Sequence, residues 1–116
     1  SQQGVITEVW STDGGRTWGE MTATSLLNPN AGIDVTRLAD GRFLLVYNPT
    51  MQGREKLAVA VSDDGRHWRD VVMLEDSPGE YSYPASIQTG DGLVHIIYTW
   101  RRERIKHVTI DPARIN

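Results

Sequence analysis

Cysteine is absent from this chain. No disulfide can staple it, no thiolate can hold a metal, and the compartment is left open. Long apolar runs are missing too. Nothing approaches the roughly 20 residues of a membrane-crossing helix, and no signal peptide is read. The chain begins at Ser1 without Met, so it reads as processed, tagged or a fragment. One-sided charge is also lacking: 12 Lys and Arg stand against 15 Asp and Glu, a formal net charge of −3. That balance excludes the basic surface expected for nucleic acid or an anionic membrane, so neither partner is expected. No helical periodicity is found. What remains is 116 residues, enough for one small domain, in which 11 Gly and 5 Pro punctuate runs rich in Val, Ile, Thr, Tyr and Trp. That pattern predicts an all-β chain.

The chain is organised around Ser11-Thr12-Asp13-Gly14-Gly15-Arg16-Thr17-Trp18 and its echo Ser62-Asp63-Asp64-Gly65-Arg66-His67-Trp68. Each follows one strand-like run and precedes another. Asp bonds its own backbone a few residues on, Gly tolerates positive φ, and the Trp closes the turn and tucks into the layer beneath. A buried Trp18 would make Trp18→Ala cost about 3–5 kcal/mol.

Asp13 and Asp64 lie 51 positions apart, and so do the unrelated turns Asp40-Gly41 and Asp91-Gly92. Two independent landmarks with one period mark a repeated supersecondary unit. At about 40–50 residues and four short strands, the unit is the size of a β-propeller blade. Strands are expected over residues 5–10, 20–26, 33–38, 42–47, 56–61, 71–74, 83–88, 93–100 and 104–110. Lettered from centre to rim, the order is C-D, A-B-C-D, A-B-C. The single 1–116 segment thus holds a half blade (5–26), a full blade (33–74) and a partial blade (83–110). Open blades expose strand edges and half-covered apolar faces, which predicts closure by self-association. Three chains with two blades each make six, so a homotrimer is favoured.

Ser-x-Asp-x-Gly-x-Thr-Trp at 11–18 matches in full the Asp box of the sialidase (neuraminidase) superfamily, and 62–68 matches with one residue deleted. Asn48-Pro49, Arg54, the second box and Tyr81-Ser82 extend the resemblance to the C-terminal third of a family member. The resemblance implies structural roles for Ser11, Asp13, Gly15, Trp18, Ser62, Asp64, Gly65 and Trp68, on the face away from any site.

Up-and-down strands gather the D-to-A and B-to-C loops on the opposite face: 27–32, 48–55, 75–82 and 100–103. Candidate substrate-binding residues there are Arg54, Asn48, Asn30, Trp100 and Arg101, with Asp34 and Arg37 on an inner strand where an ion pair is expected. Arg54 resembles the family arginine that grips a carboxylate, a task its planar fork suits. By the same resemblance Tyr81 or Tyr83 stands for the family's tyrosine nucleophile. Glu80 stands for the carboxylate that must take a proton from a group with an ordinary pKa near 10. The run Arg101, Arg102, Arg104 reads as a solvated loop able to attract an acidic sugar, and His95 as a satisfied core histidine. No metal-ligand spacing and no cofactor motif is present. Most of the family's catalytic set, including two further arginines and an Asp acid/base, has no counterpart here. The implied function is a sialidase-like segment that self-assembles and binds acidic sugar with little or no turnover. A sialidase-type hydrolase and a glycan-binding module are the alternatives.

Overall fold

The computed structural model describes residues 5–8, 11–19, 22–27, 32–50 and 53–115. The fold is all-β. Among the described residues nine strands run in order: β1 (Val5–Glu8), β2 (Thr22–Leu27), β3 (Asp34–Arg37), β4 (Phe43–Tyr47), β5 (Lys56–Ser62), β6 (Arg69–Asp76), β7 (Tyr81–Gln88), β8 (Val94–Trp100) and β9 (Arg104–Ile110). They form three antiparallel sheets ordered β1-β2, β3-β4-β5-β6 and β7-β8-β9. The helical element among the described residues is one 3-10 turn, Pro112–Arg114, capped by the Asp111 side chain.

Strands β4 and β5 read as continuous apolar runs, and both of their faces are covered. Leu44, Val46, Leu57, Val59 and Val61 point one way, into a core shared with Val94, Ile96, Tyr81 and Tyr98 of the third sheet. Leu45, Tyr47, Ala58 and Ala60 point the other way, against Ile6 and Leu26 of the first sheet, with Trp68 packed alongside. Period-2 alternation thus splits one strand pair between two cores. Small alanines on the second face leave room for the indole.

The turns repeat in atomic detail. Leu38 and Arg42 close the first β3–β4 turn, with Gly41 at φ 94° and the Arg42 N–H on Asp40 Oδ1 at 3.0 Å. Thr89 and Leu93 close the β7–β8 turn in the same way, with Gly92 at φ 88° and the Leu93 N–H on Asp91 Oδ1 at 3.1 Å. In the first Asp box the N–H groups of Arg16 and Thr17 donate to Asp13 Oδ1, and the Thr17 hydroxyl to Oδ2. In the second, Arg66 and His67 N–H donate to Asp64 Oδ1, and the His67 ring stands in for the threonine at 2.7 Å. These donors favour the charged carboxylate. The Thr17 hydroxyl first, then the Thr17 N–H, hold the Asp13 pKa at about 2 against an ordinary 3.8. Backbone and ring contacts from His67 hold Asp64 lower still.

Several expectations need correction. Trp18 is 60% exposed rather than tucked in. Trp68 is packed because the first sheet covers its side of the second sheet. Trp18 lies in the connection between β1 and β2 and has no such cover among the described residues. Strand β6 runs over 69–76 rather than 71–74, and β7 begins at Tyr81 rather than Tyr83, so the loop between them shrinks to 77–80. The expected ion pair between Asp34 and Arg37 does not form. An odd spacing on one strand puts the two on opposite faces. Asp34 accepts from the Ser86 N–H and hydroxyl, while the Arg37 guanidinium lies 5.7 Å over the Phe43 ring. His95 is satisfied, but on a half-open face rather than in the core. The parts of the first two expected strands at 9–10 and 20–21 lie outside the described residues.

Two outcomes follow. Trp68→Ala should lower unfolding free energy by about 2–4 kcal/mol in urea titrations, and Trp18→Ala by under about 1 kcal/mol. Asp13 has a depressed folded pKa, so its stabilising contribution is full above pH 4 and is lost as pH falls toward 2. Melting temperatures scanned from pH 5 to 2 should fall less steeply for Asp13→Asn than for the unsubstituted chain.

Candidate functional site

Three connections meet at the end of the sheets opposite the Asp boxes: 48–55, 77–80 and 101–103. Backbone bonds join them. The Tyr81 N–H donates to the Arg54 carbonyl at 2.8 Å, and the Arg101 N–H to the Glu80 carbonyl at 2.7 Å. Beneath them Asn48 is fully buried, and its amide nitrogen donates to the Lys56 and Tyr81 carbonyls. Asn48 therefore sews the first loop to the start of β7 from below, and its Oδ1 is buried without a hydrogen bond among the described residues.

On the surface above, Glu80 is the hub. One carboxylate oxygen meets Arg54 at 3.3 Å and the other meets Arg102 at 2.8 Å. The Arg54 guanidinium also lies 5.8 Å from the centre of the Tyr83 ring. Trp100 is flanked by two guanidinium groups, Arg101 at 4.4 Å and Arg104 at 5.0 Å. The arrangement is a cationic surface with aromatic planes, one carboxylate holding two of its arginines in place.

The two tyrosines part company here. Tyr81 is fully buried, and its hydroxyl lies 2.9 Å from Ser77 Oγ and accepts from Arg101 Nε at 3.4 Å. That hydrogen bond is the leading cause of an Arg101 pKa above the ordinary arginine value. Tyr83 is 70% exposed with φ 53°. It lies where the β7–β8 register shifts between Ser82 and Ala85, and it precedes Pro84. Positive φ is costly for a bulky residue, and such strain persists where surroundings impose it, often at working sites. The tyrosine–carboxylate pairs of the fold lie elsewhere. Tyr47 donates to Asp70 and Tyr98 to Glu75. Burial first, and the neighbouring carboxylate second, push both phenols well above tyrosine's ordinary value. These are structural ties.

The sequence reading had Arg102 in a basic run and missed its pairing with Glu80. Arg102 stands with Arg101 in the β8–β9 turn, at φ 61° and 53°, closed by the Glu103 N–H on the Trp100 carbonyl. Two positive-φ residues are the pattern of a type I′ hairpin turn, where Asn and Gly are usual. Arginines at both positions between two long β runs were the available signal. Asp34 and Arg37, on β3, contact Ser86 of β7 and the Phe43 ring of β4 instead of the Glu80 cluster. Asn30 lies outside the described residues. Among the described residues no group of three or more His, Cys, Asp or Glu side chains is placed to hold a metal.

Residues 1–96 match the BNR repeat-like domain. The chain belongs to this family. It is also similar in fold to the intramolecular trans-sialidase from Ruminococcus gnavus, whose crystal structure is in complex with oseltamivir carboxylate, with a TM-score of 0.75 at 21% identity. The match covers 97% of this chain and 29% of that one, so the chain spans under a third of that protein's length. No curated protein matches the chain. The BNR repeats expected from the Asp boxes therefore stand as the family, and the likeness in fold covers 97% of the chain.

Gly79 holds the 77–80 turn against this cluster. Its φ is 148°, and a Cβ there would lie 2.9 Å from Arg101 Cγ and 3.0 Å from the Tyr81 hydroxyl. Gly79→Ala should therefore cost about 1–3 kcal/mol of stability, read as a lowered urea midpoint, and displace Arg101.

Proposed function

We propose that this chain is a sialidase-like propeller segment that binds acidic sugars at the Arg54–Glu80–Arg102 surface, with little or no turnover by itself. Residues 5–26, 33–74 and 83–110 are its half, full and partial blades, and copies close the ring, three being the favoured number. The observation that carries the binding reading is Glu80 held between Arg54 and Arg102. A carboxylate already sits in that two-guanidinium cradle, which is chemistry suited to a ligand carboxylate. Tyr83 and Trp100 supply the flat apolar faces on which a sugar ring stacks.

Turnover is disfavoured because a tyrosine nucleophile needs a base, and the Glu80 oxygens are engaged with arginines rather than with a phenol. In a ring of three, each Arg54 recurs about the axis, and three equivalent guanidinium groups cannot match one asymmetric sugar and one tyrosine together. The exposed, strained Tyr83 under Arg54 is what favours the second reading, hydrolysis of a sialoside. Release of fluorophore from a sialoside would establish it.

Titration calorimetry with sialic acid and with a neutral sugar tests the first reading. Arg54→Ala should weaken binding of the acid by about 1.5–3 kcal/mol and leave the neutral sugar unchanged. Equal affinity for the acid in both proteins would reduce Arg54 to a loop residue.

A further inference from the structure

Arg54, Arg101, Arg102 and Arg104 gather at one end of the molecule, but the acid there serves only two of them. Glu80 gives one oxygen to Arg54 and the other to Arg102. Among the described residues no carboxylate lies within ion-pair distance of Arg101 or Arg104. Arg101 makes two long hydrogen bonds, both of 3.4 Å, to the neutral hydroxyls of Tyr81 and Ser77. The Arg104 guanidinium makes no hydrogen bond among the described residues and lies over the Trp100 ring. Arg101 lies over the same ring. An aromatic face attracts a cation without occupying its N–H donors. Two like charges are thus held beside one indole with most of their donors unused.

The turn itself has no need of these charges. Arg101 at φ 53° and Arg102 at φ 61° occupy positions where Asn and Gly sit without strain. The equivalent connection of the second sheet, 48–55, carries a single arginine, and that one is Arg54. Strain of this kind collects where a side chain is needed for something other than the backbone it sits on. The pair also lies at the junction of two sheets within the chain. Arg104 shares its side of β9 with Lys106, which donates to Glu75 of β6 at 2.6 Å. Trp100 packs against the core between the second and third sheets. The Arg101 N–H donates to the Glu80 carbonyl at 2.7 Å, so the two unpaired arginines adjoin the paired ones.

We propose that Arg101 and Arg104, on either arm of Trp100, form a second anion subsite beside the Arg54–Glu80–Arg102 surface, and that the ligand is a glycan with carboxylates on two neighbouring sugars. This rests on the acidic-sugar reading and names its ligand class. The first carboxylate meets Arg54 and Arg102, where Glu80 offsets one of two positive charges. The second meets two guanidinium groups whose charge nothing offsets. The planar fork of each matches a carboxylate through paired N–H donors.

Titration calorimetry on the whole chain tests this with three ligands: sialic acid, sialic acid linked to galactose, and sialic acid linked to a second sialic acid. The doubly acidic disaccharide should bind roughly tenfold or more tighter than either of the others, the size of one added charged hydrogen-bond contact. Arg104→Gln should remove that advantage with the circular dichroism unchanged. Arg104→Lys keeps the charge and should retain most of it. Raising ionic strength should weaken the doubly acidic ligand most. A doubly acidic ligand no tighter than the galactose-linked one, or an advantage that survives in Arg104→Gln, would overturn the second subsite and leave the acidic-sugar reading standing. If none of the three ligands binds, the acidic-sugar reading falls, and the second subsite with it.

Discussion

The structure depends on one constraint: β4 and β5 carry apolar side chains on both faces, so both faces must be covered. Leu44 to Tyr47 and Leu57 to Val61 are all at most 2% exposed. A lone antiparallel sheet hides one face and wets the other. These strands cannot do that, and the first and third sheets are held against the second for this reason. Large residues face the third sheet, and small ones with an indole face the first. The stacking of sheets follows from the composition of two strands rather than from any single long-range bond.

That stacking also builds the site. Because the second and third sheets lie face to face, the 48–55 loop of one comes over the 77–80 and 101–103 turns at the edge of the other. Asn48 fixes this approach from below by bonding carbonyls on either side of the gap. Glu80 then joins arginines from two different connections. Each exposed ion pair contributes little to stability by itself. Their worth lies in orientation: each arginine is held in a fixed direction by one carboxylate oxygen.

Much of this was legible in the sequence, and the reason is local chemistry. The Asp boxes and the two Asp-Gly turns could be read because each is satisfied by its own residues, whatever packs around it. The order of strands and the end at which Arg54, Glu80 and Trp100 gather followed from up-and-down direction alone. Position within the layers was not legible. Trp18 and Trp68 look alike in sequence, and only the neighbouring sheet makes one packed and the other exposed. Tyr81 and Tyr83 could not be told apart, because a shift of register between Ser82 and Ala85 decides which one faces out. The Arg102–Glu80 pair was hidden by a turn with unusual residues for its geometry.

The self-contained turns have a consequence for the order of folding. In both Asp boxes the bonds span at most four residues, and the β3–β4 and β7–β8 turns are closed over similar distances. Loops this short close in well under a microsecond to microseconds. The ties between sheets, such as Thr36 to Ser86, span 50 residues. Hairpins therefore form first and the sheets meet afterwards as preformed pieces, with chain entropy charged mainly to that second step. Substitutions in the turns should then speed unfolding or slow folding according to how early each hairpin closes, while those at the sheet crossing act at the last barrier.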